Sequence, residues 1–107
     1  MKMTLSSNDY SEGCAIYCAR LGSVPLDTIR LTIQSALRIG PDDANLIMGR
    51  ADTIIKEGIS EIHGTYMDKL KSQERAKDRM QEANPDLSSK GIDALYRYAS
   101  WCVAKGA

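Results

Sequence analysis

The chain has 107 residues, of which 43% are hydrophobic and 26% are charged, and this composition is ordinary for one globular domain. Its 14 Lys and Arg residues balance 14 Asp and Glu residues, so the formal net charge is zero. Proteins that bind nucleic acid or an anionic membrane by charge usually carry a basic excess, and neither kind of partner is therefore favoured.

The first residues and the cysteines indicate the cellular compartment of the protein. Residues 1–9 contain no apolar run of the kind found in a secretory signal, and no stretch approaches the roughly eighteen apolar residues of a membrane span. Three cysteines in a chain without such a signal are typical of free thiols in a reducing compartment. We expect a cytoplasmic protein.

The first helix is predicted from its caps and from its apolar period. Ser6 and Asp9 have the spacing of a capping box, and Gly22 suits the left-handed residue that ends a helix. Between these positions the apolar residues recur at helical spacing and share one face. They are Tyr10, Cys14, Tyr17, Cys18 and Leu21.

The second helix is predicted over residues 25–39, because Pro25 is well placed in a first helical turn. Its main apolar stripe comprises Leu26, Ile29, Ile33, Ala36 and Leu37. Leu31 and Ile39 fall on the other side, so this helix has two apolar faces. It is therefore expected to be central in the fold or to meet a partner.

Residues 41–83 have a helical period almost throughout, with Pro41 at the first position. Gly58 and Gly64 interrupt the pattern, and Thr65 begins a second capping box, so a break or kink is predicted between Gly58 and Thr65, which would give two helices where the period alone indicates one. Beyond Leu70 the apolar stripe fades into good helix formers of mixed charge, which predicts a protruding, solvated helix.

A last helix is predicted from Ser88 or Ser89 to about Ala104, with the turn at Asn84-Pro85-Asp86 before it. None of the segments sustains the alternation that strands require. The fold class is therefore all-α. We expect a single domain over residues 1–107, a compact bundle of four or five helices in which the 41–83 segment forms a long, kinked central spine.

The residues that would support catalysis or metal binding are few. Cys14 and Cys18 lie one helical turn apart, but only Cys102 and His63 remain to complete a metal site. Free cysteines on an apolar stripe are more often buried packing residues. No nucleophile elbow, phosphate-binding loop or zinc-protease motif is present in the sequence. We expect no catalytic residues, no metal and no cofactor, and hence no enzyme.

A helix-turn-helix DNA-binding regulator is the alternative hypothesis, with helices at about 25–39 and 41–57. Ala36 and Gly40 have the spacing of the small residue and the turn glycine of that motif. However, Asp42 and Asp43 would then face the DNA phosphates, which leaves only Asn45 and Arg50 as plausible base readers. The charge pattern therefore makes nucleic acid an unlikely partner.

The last helix carries the candidate binding surface. Its buried stripe is predicted to comprise Ile92, Leu95, Tyr96, Ala99, Cys102 and Val103. Trp101 lies on the opposite side, with Arg97 one turn before it, Lys105 one turn after it and Tyr98 at the flank. Trp, Tyr and Arg are the residue types enriched in binding hot spots. The alternative is that another helix covers Trp101 and makes it a core residue.

These observations favour a small non-enzymatic protein that binds a protein partner as an inhibitor, regulator or adaptor. The predicted contact residues are Trp101, Arg97, Tyr98, Lys105 and Leu31. We also expect a homodimer, because unpaired apolar faces associate readily in symmetric pairs. By association with other small stand-alone binding proteins, we expect a product of a phage or mobile element directed at host machinery such as a defence nuclease.

Overall fold

A computed structural model of the chain describes residues 5–64 and 69–105, with side chains described outside residues 63–74. This part of the chain contains five α-helices and no strand. The helices are α1 (Ser7–Arg20), α2 (Leu26–Leu37), α3 (Pro41–Gly64), α4 (Lys69–Ala83) and α5 (Ser89–Ala104). The predicted all-α bundle of four or five helices is confirmed.

The predicted helix ends are confirmed where local hydrogen bonds define them. The backbone N–H of Asp9 donates to Ser6 Oγ at 3.1 Å, and the N–H of Ser6 donates to Asp9 Oδ2 at 3.0 Å, which completes the capping box of α1. Gly22, just after α1, has a φ of +86°. Ser88 caps α5 by accepting the N–H of Gly91 at 3.2 Å.

The end of α2 differs from the prediction. The helix ends at Leu37 because Arg38 adopts a left-handed conformation with a φ of +56°, which turns the chain. Ile39 is therefore buried in the core, and its predicted place on an outer face beside Leu31 is wrong. Leu26, which belongs to the predicted main apolar stripe, is exposed at the first position of the helix.

The 41–83 segment contains two helices, as a break in the segment implies, and they pack against each other. Helix α3 passes through Gly58 without a break and ends at Gly64, while Thr65 and its capping box lie outside the described residues. Helix α4 packs against both α3 and α5 through its buried Ala76 and Met80. The prediction that this helix protrudes is wrong, since two buried residues one turn apart hold it to the bundle.

The core is organised around α3, which packs against the other four helices. Helices α1 and α5 lie side by side and run parallel. Ser11 near the start of α1 accepts the N–H of Ser88 at 2.8 Å, and Ala19 near its end lines a groove with Trp101. The predicted stripes of α1 and α5 provide core residues, including Cys14, Tyr17, Ile92, Leu95 and Ala99.

Candidate functional site

A surface groove between α1 and α5 gathers most of the predicted contact residues. We call it the Trp101 groove; it has a volume of about 330 Å³ and is open to solvent along one side. Its lining residues are Ala15, Cys18 and Ala19 of α1 with Ala94, Arg97, Tyr98 and Trp101 of α5. The small side chains of the three alanines thus lie between the two parallel helices, and the larger side chains of Arg97, Tyr98 and Trp101 belong to α5.

Trp101 is the largest apolar side chain at this surface, and 51% of it is exposed. It lies outside because Leu95 and Ala99, which belong to the opposite face of α5, are the residues turned into the core. The alternative that another described helix covers Trp101 is therefore wrong. Its ring lies 5.6 Å from that of Tyr98, centroid to centroid, at an interplanar angle of 38°. This contact restricts the orientation of the indole.

Cationic side chains stand around the indole. The Nζ of Lys105 lies 4.9 Å from the centroid of the Trp101 ring, a cation–π geometry. Arg97 lines the groove one turn before Trp101, and its Nε lies 3.0 Å from Asp93 Oδ2. Asp93 also pairs with Lys77 at 2.6 Å, and the hydrogen bond from Lys77 is the main cause of its lowered pKa. The carboxylate of Asp93 thus forms ion pairs with both Lys77 and Arg97.

Burial disfavours ionisation of Cys14 and Cys18, the two cysteines of α1. Burial raises the pKa of Cys18, which lines the groove, to about 12, and the neighbouring Cys14, Asp52 and Cys102 add to the shift. Burial also raises the pKa of Cys14 to about 11. A thiol must ionise before it acts as a nucleophile or metal ligand, so these shifts oppose both roles at neutral pH.

No cluster of three or more His, Cys, Asp or Glu residues suited to a metal ion occurs in the described part of the chain. The side chain of His63, the only histidine, lies outside the described residues. The three cysteines are free thiols, of which Cys14 is fully buried. Their position fits the packing role that their place on an apolar stripe predicts.

Leu31 lies on a different surface from the other predicted contact residues. It is 61% exposed and lines a shallow groove on α2 with Thr28, Thr32, Ser35 and Ala36. None of these residues lines the Trp101 groove. The structure thus brings together Trp101, Arg97, Tyr98 and Lys105, and it places Leu31 apart from them.

Arg50, one of the two predicted base readers of the helix-turn-helix hypothesis, makes internal contacts. Its guanidinium donates to both carboxylate oxygens of Asp86, at 2.8 and 2.6 Å, and to Asn84 Oδ1 at 3.3 Å. It also lies over the ring of Tyr10, 4.7 Å from the centroid. An arginine held in this way is poorly placed to reach DNA bases. The structure therefore favours a stabilising role for Arg50 over base reading.

A second groove, between α4 and the start of α5, was not anticipated from the sequence. Its volume is about 440 Å³, and its lining residues are Lys77, Asp78, Gln81, Ser89, Lys90, Ile92 and Asp93. Its polar groups largely satisfy one another. Lys77 pairs with Asp93, Lys90 lies 3.6 Å from Glu12, and Gln81 donates to two backbone carbonyls. The mixed, paired charges do not select a ligand of either sign.

Comparisons of the chain with models of known protein families, with curated proteins and with solved structures gave no match. Among the helices of the described residues, none combines the length and the apolar character needed to cross a membrane. The grounds for a functional proposal are therefore the residues and the geometry of the Trp101 groove.

Proposed function

We propose that this chain is a small, non-enzymatic binding protein that docks on a protein partner through the Trp101 groove and acts as an inhibitor, regulator or adaptor. The observation that carries the proposal is the exposure of half of the Trp101 side chain beside a groove. A tryptophan has about 150–250 Å² of surface to bury, so burying the exposed half would contribute about 2.5 kcal/mol at about 25 cal/mol per Å². In the chain alone this surface stays in contact with water, so its burial can contribute to binding a partner.

The composition of the groove supports a binding role. Trp101, Tyr98 and Arg97 belong to the residue types that dominate binding energy at protein interfaces, because they combine large area with polar groups. The ring contact between Tyr98 and Trp101 restricts both side chains before a partner arrives. Such preorganisation reduces the entropy lost on binding. The alanines beside them allow a partner to approach the helix backbones closely.

The titratable groups of the groove support contact more than catalysis. General acid–base chemistry needs a group that titrates near the working pH. Burial is the largest cause of the raised pKa values of Cys18 and Tyr98, and for Tyr98 the neighbouring Cys102 adds to the shift. Both groups therefore stay protonated at neutral pH. The guanidinium of Arg97, also on the lining, is suited to hydrogen bonds and ion pairs with a partner.

The proposal has three further parts, namely the compartment, the self-association and the origin of the chain. The free thiols suit a reducing compartment such as the cytoplasm. The exposed Leu31 on α2 offers a second surface, at which we place self-association into a homodimer. An origin in a phage or mobile element, with host machinery such as a defence nuclease as the target, goes with the proposal by association alone.

Affinity capture from an extract of the source cells tests the proposed function. The immobilised wild-type chain is compared with Trp101→Ala and with Leu46→Ala, a matched control that removes another exposed apolar side chain, 59% exposed on α3. We expect one protein to be retained by the wild type and by Leu46→Ala and to be lost with Trp101→Ala. Circular dichroism establishes that all three chains are folded. Equal capture by the folded Trp101→Ala variant would contradict the proposal.

A further inference from the structure

We infer that the outer face of α2 is the interface of a symmetric dimer, in which α2 packs antiparallel against α2 of a second copy. We call this surface the α2 face; its residues are Thr28, Leu31, Thr32, Ser35 and Ala36. The inference rests on the self-association that forms part of the proposed function, and it specifies how the two copies are arranged. It is carried by the apolar character of the face, its shape and the charges at its two ends.

The α2 face lies in an apolar region without unpaired charge. Of the five large apolar side chains that are exposed in the described part of the chain, three belong to this region. They are Leu31, which is 61% exposed, Leu26 at the start of α2 and Val24 just before it. The only charged residues of α2, Asp27 and Arg30, pair with each other at 2.8 Å. Two copies of this face can therefore meet without bringing unpaired like charges together.

The shape of the α2 face suits an antiparallel pair. Leu31 projects beside a shallow groove of about 450 Å³, and the other lining residues have smaller side chains. Thr28 lies one turn before Leu31 and Ser35 one turn after it, so the three form one row. A two-fold axis beside Leu31 would place the leucine of each copy against the small residues of the other. Each copy thus offers both the projecting side chain and the depression that accepts it.

The end of the molecule at which α2 begins is basic. Arg20 lies at the turn between α1 and α2, because its carbonyl oxygen accepts the N–H groups of Ser23 and Val24 at 3.0 and 3.3 Å. Together with Asp27 and Arg30 it makes two arginines against one aspartate, a formal net charge of +1. The C-terminus of α1 and the N-terminus of α2 meet at this turn, so their opposite dipole charges cancel.

The end at which α2 stops is acidic. Arg38 caps α2, and Asp42 and Asp43 follow in the first turn of α3. One arginine against two aspartates gives a formal net charge of −1, and the dipole charges of the two helix ends again cancel. An antiparallel pair places the basic end of each copy beside the acidic end of the other, whereas a parallel pair would bring like ends together. Charge complementarity therefore favours an antiparallel second copy.

The dimer is expected to be weak and to leave the Trp101 groove open. The 12 residues of α2 extend about 18 Å, so the face is small beside the roughly 800 Å² per partner of a standard interface. We therefore expect a dissociation constant on the order of 10 µM or higher. No residue of the α2 face lines the Trp101 groove, so the dimer would present two such grooves to protein partners.

Analytical ultracentrifugation of the full chain under reducing conditions, from about 5 to about 500 µM, tests the inference. We expect the wild type to pass from monomer to dimer and Leu31→Glu to raise the dissociation constant at least about tenfold. Leu46→Glu, the same change at a leucine of α3 that is 59% exposed, is the matched control and should associate like the wild type. Circular dichroism establishes that each variant is folded.

Charge reversal tests the antiparallel arrangement. Arg20→Glu makes the basic end acidic and Asp42→Lys makes the acidic end basic, so either change alone brings like charges together. We expect each to weaken association about three- to tenfold, and more strongly at low salt. The double variant Arg20→Glu/Asp42→Lys restores opposite charges at the two ends and should recover the affinity of the wild type. Failure of the double variant to recover association would show that the arrangement is wrong.

The remaining outcomes separate this inference from docking at the Trp101 groove. A chain that stays monomeric at the highest concentration overturns the inference and the proposed self-association, while docking on a protein partner still stands or falls with the capture experiment. A dimer that survives Leu31→Glu contradicts the inference, and its loss with Trp101→Ala would place the second copy in the Trp101 groove. If Trp101→Ala stays dimeric and captures the cellular partner like the wild type, the docking proposal fails and the inference stands.

Discussion

Arg50 binds Asp86 through two hydrogen bonds, of 2.8 and 2.6 Å, across 36 residues of sequence. The pair joins α3 to the turn between α4 and α5, and the guanidinium also contacts Asn84 of that turn and Tyr10 of α1. The hydrogen bonds from Arg50 are the main cause of the lowered pKa of Asp86. The ionised pair therefore stabilises the junction of three segments.

Asp86→Asn should lower the free energy of unfolding by about 0.5–1 kcal/mol at pH 7, because it removes one partner of a half-exposed, bidentate ion pair. The folded-state pKa of Asp86 lies below its unfolded value. The contribution of the wild-type carboxylate is thus complete above the ordinary Asp pKa of about 3.9 and is lost as the pH falls through the lowered value. The difference between the two chains should therefore shrink at pH 3 in urea titrations.

Asp78→Asn provides the control for this measurement, since Asp78 is an exposed residue of α4. It should change stability by less than about 0.5 kcal/mol at either pH. If Asp86→Asn gives the same loss at pH 3 as at pH 7, the ion pair does not explain the loss, and packing around the turn would have to account for it.

Two glycines of helical segments should respond in opposite directions to alanine. A Cβ at Gly13 would lie 2.5 Å from Ile47 Cγ2, so α1 and α3 would have to separate, and we expect a loss of about 1–3 kcal/mol. At Gly49 nothing lies within 4 Å of the added methyl group. Gly49→Ala should gain about 0.5–1 kcal/mol from helix propensity. Urea unfolding measures both; a stabilising Gly13→Ala would contradict the close helix approach.

Trp101→Ala should leave the bundle nearly as stable as the wild type. Because half of the side chain is already exposed, its truncation should lower the free energy of unfolding by about 1 kcal/mol or less. Leu95→Ala removes a smaller side chain, but one that is fully buried in the same helix. It should lower the free energy of unfolding by about 2–5 kcal/mol. Thermal unfolding followed by circular dichroism makes the comparison, and similar losses for the two variants would place the indole in the core.

The features that were predicted correctly from the sequence are local ones. The capping box of Ser6 and Asp9, the cap at Ser88 and the opposite faces of Trp101 and Leu95 all depend on residues within a few positions of each other. Helical periodicity encodes such relationships directly. The candidate groove could therefore be predicted in part, since most of its large residues belong to one helix.

The features that were missed depend on contacts distant in sequence or on an unusual backbone. The bond between Arg50 and Asp86 spans 36 residues, and no local pattern indicates it. Among the described side chains of α4, the buried ones are Ala76 and Met80, which lie within a segment of mixed charge and return the helix to the bundle. Ile39 was misplaced because a left-handed turn at Arg38 is uncommon for a residue other than glycine.

The buried thiols should make the protein less stable as the pH rises above about 8.5. In the unfolded chain a cysteine ionises near pH 8.5, whereas burial raises the pKa to about 11 for Cys14 and about 12 for Cys18. Between pH 8.5 and the raised pKa of each thiol, the unfolded state therefore binds fewer protons than the folded state. The stability contributed by each thiol is therefore complete below pH 8.5 and is lost as the pH rises, by at most about 1.4 kcal/mol per pH unit.

The double variant Cys14→Ala/Cys18→Ala isolates this effect. It should be less stable than the wild type at pH 7, because Cys14 is fully buried and its side chain packs in the core. Between pH 8 and pH 10, however, its stability should fall less steeply, since the two thiols that ionise on unfolding are absent. Urea titrations under reducing conditions measure the slope, with Cys102→Ala as a control that keeps both buried thiols. Equal slopes in the wild type and the double variant would mean that burial does not keep these thiols protonated.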